Sequence, residues 1–164
     1  MRLFVLLVVL AVIPIQGLPA QEHHKILAQD AAPISIRKYE PEPWVLGAEY
    51  DDGVRHAVRL RNDSDRVVVA VKLGTLCYNI FNEFQEGSEA IVVKDLLPGK
   101  RASHIVWTYL DDPPSFYSGL IYVAKVRFLD GEVWEADPDD LDAQILAFEN
   151  GLKGWEREGG EEGS

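Results

Sequence analysis

Few side chains in this 164-residue chain have the types and spacing that chemistry needs. Cys77 is the single thiol. Beside His56 or His104 and an orienting acid it would make a Cys–His hydrolase. Its neighbours in "LGTLCYNIF" are apolar, however, and offer no cation or helix amino terminus to lower its pKa. Cys77 therefore reads as a buried thiol acting as a small hydrophobe, with a disulfide-linked dimer as the alternative. No G-x-S-x-G elbow, H-E-x-x-H helix or phosphate-binding glycine loop occurs. The expectation is a protein that is not an enzyme and carries no cofactor.

Two groups invite a metal reading. Asp137, Asp139, Asp140 and Asp142 could offer oxygens to calcium, but the glycine and terminal glutamate of a calcium loop are missing, and helix capping accounts for them better. His23 and His24 follow Gln21-Glu22. A chain cleaved after Ala20 would carry histidine at its third position, which suits square-planar copper or nickel unless Gln21 cyclises. A further candidate is the stretch "TYLDDPPSFYSG". Tyr109, Asp111, Asp112, Phe116 and Tyr117 there could form an aromatic and acidic binding loop for a peptide, a glycan or a basic protein surface. The competing reading has Phe116 or Tyr117 capping the core. Asn62-Asp63-Ser64 matches a glycosylation acceptor, although "NDSD" is a turn signal first.

The elements that would position these groups are mostly strands. Residues 1–20, with Arg2 before an apolar run from Leu3 to Ile13, have the layout of a signal peptide, and no later segment is apolar enough to cross a bilayer. A secreted or periplasmic location is expected. Cleavage removes Arg2 and moves the formal charge from -11 to -12. An acidic chain in which nothing concentrates Lys and Arg on one element argues against nucleic acid. Residues 21–32 read as a flexible leader, 33–151 as one domain and 152–164 as a disordered acidic tail.

Period-two alternation with turn residues between the runs predicts an all-β sandwich or barrel. Strands are expected at Ile34–Tyr39, through Val54, His56, Val58 and Leu60, and through Val67, Val69, Val71 and Leu73. The last two are expected to pair across the 62–65 turn. Further strands are expected at 90–95 and 102–109, where Trp107 should be a core residue, and along 120–129. Asp130-Gly131 predicts a two-residue hairpin that sets Phe128 opposite Val133 and Arg127 opposite Trp134, with Leu120, Tyr122, Ala124, Val126 and Phe128 on one face. Leu141, Ile145 and Phe148 predict one short helix, capped by Asp137 or Asp139 and closed at Gly151.

"VRLRNDSDRVVVAVKLG" followed much later by "AKVRFLDGEVWEA" resembles the strand patterns of uncharacterised exported bacterial domains with an immunoglobulin-like β-sandwich. The resemblance implies an antiparallel sandwich of about seven strands plus the C-terminal helix, and Trp107 would be similar to the core tryptophan of such domains. The paired cysteines of antibody domains are absent. The function expected is an exported, non-catalytic binding or accessory module that recognises a protein, peptide or glycan through end loops or a sheet edge. The alternative is a metal-handling protein using His23-His24 or the acids of 137–142.

Overall fold

The computed structural model describes residues 24–44, 53–109 and 116–158. Eight strands lie among them: β1 (His24–Ile26), β2 (Ile34–Trp44), β3 (Gly53–Asn62), β4 (Val68–Asn79), β5 (Phe84–Leu96), β6 (Arg101–Tyr109), β7 (Phe116–Phe128) and β8 (Val133–Glu135). One helix, α1 (Pro138–Glu158), comes after them. The order β2-β3-β6 makes one sheet; β1-β7-β4-β5, with β8 also on β7, makes the other. Ile34, Val58 and Leu60 face Val71, Leu73, Ile121, Val123 and Val126 between them, so the chain is an all-β sandwich with one helix outside it. No helix among the described residues is long and apolar enough to cross a membrane.

In β3 the alternation behaves as expected: Val54, His56, Val58 and Leu60 are buried, while Arg55, Arg59 and Arg61 lie on the other side. The expected pairing of β3 with β4 does not occur, because the two strands belong to different sheets. A turn signal marks a reversal but does not say whether the chain returns within a sheet or crosses to the next layer. Asn62 decides it. Its side chain, fully buried, donates to Arg66 O at 2.7 Å and Leu96 O at 2.8 Å and accepts from Ser64 N at 3.0 Å and Ser64 Oγ at 2.7 Å. This one amide holds the β3 end, the crossing and the β5 end together, and its nitrogen is committed, so the folded chain does not present Asn62 for glycosylation.

Two irregularities reverse strand phase. Register breaks at Val69, so Val68, Val71 and Leu73 face the core in place of the expected Val67-Val69-Val71 row. Ala124 is skipped on β7, so Ile121 and Val123 point inward before it and Val126 and Phe128 after it. The expected single face from Leu120 to Phe128 is therefore two half-faces, because each bulge adds a residue and flips the side chains beyond it. Leu120 and Tyr122 are released to the outer side, where they meet Leu141, Ile145, Phe148 and Leu152 of α1. Tyr122 lies on Gly74; a Cβ there would come within 2.3 Å of the ring.

The Asp130-Gly131 hairpin forms in a different register. Phe128 N donates to Glu132 O at 2.9 Å and Gly131, at φ +92°, donates to Phe128 O at 3.0 Å, leaving three residues in the loop. Arg127 therefore pairs with Val133 and Val126 with Trp134. The cation over an aromatic ring is Arg66, 3.8 Å above Phe128. Asp137 caps α1, accepting from Asp139 N at 3.0 Å. The helix runs through Gly151 and buries Leu152, so 152–158 extend the helix and are not a tail.

Candidate functional site

Two regions bear on the expected sites: the histidine and aromatic end of the sandwich, and the edges of the five-stranded sheet. At the first, β2, β3 and β6 bring Tyr39, His56 and Trp107 into one inward group. Tyr39 Oη lies 2.9 Å from His56 Nδ1, and the His56 and Trp107 rings stack at 5.0 Å. From the opposite sheet, His24 stacks on Phe116 at 5.7 Å and meets the Tyr39 ring edge-on at 6.2 Å.

Burial sets the charge state here. His56, with no exposed surface, is pushed down to about 4, first by desolvation and then by His24. Burial, aided by Glu86, pushes the Cys77 thiol up to about 12. Burial, then Cys77, raises Tyr39 well above its ordinary value. At neutral pH the group is a protonated phenol, an uncharged imidazole and an uncharged thiol. These three side chains can hydrogen-bond and pack, but Cys77 is no thiolate nucleophile and His56 is no imidazolium. His56 Nε2 and Trp107 Nε1 are buried with no hydrogen-bond partner in the structure. A hollow of about 560 Å³ opens along the seam between the sheets beside this group, lined by His24, Tyr39 and Pro41.

The sheet edges differ. On the outer side of β7, β1 pairs in parallel from Gly119 to Ile121 and β8 pairs from Lys125 to Arg127. Between them Gln29 substitutes for a strand residue: its side chain donates to Val123 O at 2.8 Å and accepts from Val123 N at 2.7 Å. Leu27 N reaches Ile121 O at 2.9 Å and Ala136 N reaches Ala124 O at 3.0 Å. Gln144 of α1 clasps Ala28 N and O at 3.0 and 2.8 Å, and Leu27 is 2% exposed. The segment expected as a flexible leader is thus docked from His24 onward. A three-residue strand with one apolar anchor is too short to show period two, which is why the sequence conceals it.

The other edge is open among the described residues. β5 spans 13 residues and, among the described residues, pairs only with β4. Ile91 is 68% and Val93 80% exposed on its outer face, and Phe84 is also exposed. Phe81 and Ile80 extend the apolar surface into the preceding turn. The "AIVV" run was legible as a strand; its position at an edge was not.

Of the residues singled out for binding, Phe116 is half-buried in its stack on His24, and Tyr117 is half-buried at the start of β7. Tyr109 ends β6. Asp111, Asp112 and His23 lie outside the described residues, as do the signal segment 1–20 and residues 159–164. Asp137 is occupied as a helix cap and Asp140 accepts from Gln144 at 3.0 Å. Among the described residues no three His, Cys, Asp or Glu side chains gather as a metal site.

No family model matches the chain, and no curated protein matches it. Among solved structures, the chain is similar to a hypothetical protein from Peptoclostridium difficile 630, with a TM-score of 0.54 at 10% identity over 73% of this chain and 93% of that one. At that identity the likeness concerns the fold alone.

Proposed function

We propose that this chain is an exported, non-catalytic binding module that recognises an extended protein segment by strand addition along β5. One observation carries the reading: β5 presents 13 residues of backbone hydrogen-bonded on one side among the described residues, with Ile91 and Val93 exposed beside it. An edge that exposes Ile91 and Val93 between charged ends is a liability at that apolar stretch unless something covers it. A partner strand would take up alternate N–H and C=O groups of β5, and its own alternate side chains would rest against Ile91 and Val93. Export rests on the signal-like residues 1–20.

We further propose that the sandwich is immunoglobulin-like. The first, second and fifth of the strands from β2 onward share one sheet while the rest form the other, an arrangement consistent with an immunoglobulin-like sandwich whose fourth strand has joined the opposite layer. Trp107 departs from that family's pattern. It sits on β6 against His56, whereas the family's core tryptophan lies on the third strand, which here is β4. Recognition through Phe116 and Tyr117 is the lesser reading, since both side chains are half-buried. Metal handling is supported by no gathering of ligands among the described residues, and His24 is engaged with Phe116 and Tyr39.

The test is Ile91→Lys/Val93→Lys. Both positions are exposed, so folding stability should change by no more than about 0.5 kcal/mol per site. Partner recovered from the native extracellular or periplasmic fraction should fall at least tenfold, and the wild-type complex should show slowed amide exchange at alternate β5 residues. Equal recovery by both proteins, with β5 exchange unchanged, would sink the reading.

A further inference from the structure

On the outer face of the three-stranded sheet, far from β5 in the layer order, the fold gathers cations that the sequence keeps apart. Arg37 and Lys38 come from β2, Arg59 and Arg61 from β3, and Arg101 from β6. They line a hollow of about 510 Å³ together with Ser103. The opposing acids are few. Asp63 takes Arg37 at 3.3 Å and Arg61 at 3.0 Å, and Glu40 takes Lys38 at 2.5 Å. Among the described residues Arg59 and Arg101 are in no ion pair, so five cations face two carboxylates. This accumulation sits in a chain whose formal charge is -11.

The backbone is shaped at the same place. The β2–β3 register breaks between Ile36 and Lys38, which makes Arg37 an extra residue, and the β3–β6 register breaks where Arg59 alone stands opposite residues 103 and 104, which puts the extra residue on β6. Bulges leave a residue out of the ladder and re-aim its side chain, and they recur beside sites for that reason. Two adjacent bulges, one with Arg37 as its extra residue and the other on β6 opposite Arg59, adjoin the hollow that both guanidinium groups line. Leu60 and Ala102 also line it although they are 1% and 3% exposed with side chains in the core, so backbone forms its floor.

We infer that this hollow is an oxyanion site for a small phosphorylated ligand of sugar size. Guanidinium forks match phosphate oxygens in paired hydrogen bonds, and Ser103 and the floor offer partners for neighbouring hydroxyls. The volume lies in the range of small-molecule sites. A long polyanion is disfavoured, because the patch is three strands wide and the rest of the molecule is negative. The site is on the opposite sheet from β5, so it stands or falls apart from strand addition.

The experiment titrates the full chain with glucose 6-phosphate at constant ionic strength, following amide and arginine side-chain resonances of 36–38, 58–61 and 101–103, with sodium chloride as control. Saturable shifts confined to those residues are expected. Arg59→Gln/Arg101→Gln, which breaks no ion pair among the described residues, should weaken binding at least tenfold. Shifts equal to those with chloride would overturn the assignment. Equal affinity in the double variant would do the same, as would binding of phosphatidic acid vesicles or duplex DNA with none of the sugar phosphate.

Discussion

The five-stranded sheet treats its two edges in opposite ways. At β7 every stretch of backbone from Gly119 to Arg127 finds a partner, assembled from β1, one glutamine side chain and β8. At β5 thirteen residues are left with β4 alone among the described residues. Unpaired edge backbone templates association, so among the described residues the β5 edge is the one exposed to it. The first edge is closed by the chain's own residues, and the proposed strand addition concerns the second.

The largest expected effect comes from opening the closed edge. Removing residues 21–30 takes away β1, the buried Leu27 and the Gln29 bridge. Leu27 alone is worth about 2–5 kcal/mol, and unfolding by denaturant should show a loss of at least about 4 kcal/mol. Light scattering should then detect new association through β7. An unchanged midpoint and a monodisperse protein would show that closing the β7 edge does not stabilise the fold.

The next effect is on His56, buried against Tyr39 and Trp107. His56 holds its proton less tightly folded, at about 4, than unfolded, near 6.5. Its contribution is therefore complete above pH 6.5 and is lost as pH falls from 6.5 toward 4, by on the order of 3 kcal/mol. His56→Gln should flatten that limb of the stability–pH curve. A wild-type curve level between pH 7 and 4.5 would contradict the burial on which this rests.

A smaller loss sharpens the role of one side chain. Gln29→Ala leaves the N–H and C=O of Val123 without their partner and should cost about 2 kcal/mol, with faster exchange at the Val123 amide. Smallest of all is the stability change from the lysine pair at Ile91 and Val93, whose effect should fall on binding. A stability loss as large as that of Gln29→Ala would show β5 to be structural.

Much of the sandwich was legible where one strand keeps one phase. β3 reads correctly because its buried and exposed sets alternate without interruption from Val54 to Asn62. β4 and β7 misread because a single extra residue, at Val69 or Ala124, reverses the parity of everything beyond it. The hairpin at Asp130-Gly131 was visible as a turn, yet its register depended on whether Leu129 joined the loop. The β1 segment carried only Leu27 as an apolar anchor and could not announce itself.

Pattern and composition by themselves determined that strands alternate, where they turn, that Cys77 has no partner for an intramolecular bridge, and that an apolar stripe would seat a helix. These are local properties, set by side-chain period and turn chemistry. Only the tertiary structure decided which strands share a sheet, which edge is closed, and that Arg37, Arg59 and Arg101 meet on one face. Sheet partners are chosen by long-range burial and backbone pairing, and neither leaves a mark at short spacing along the chain.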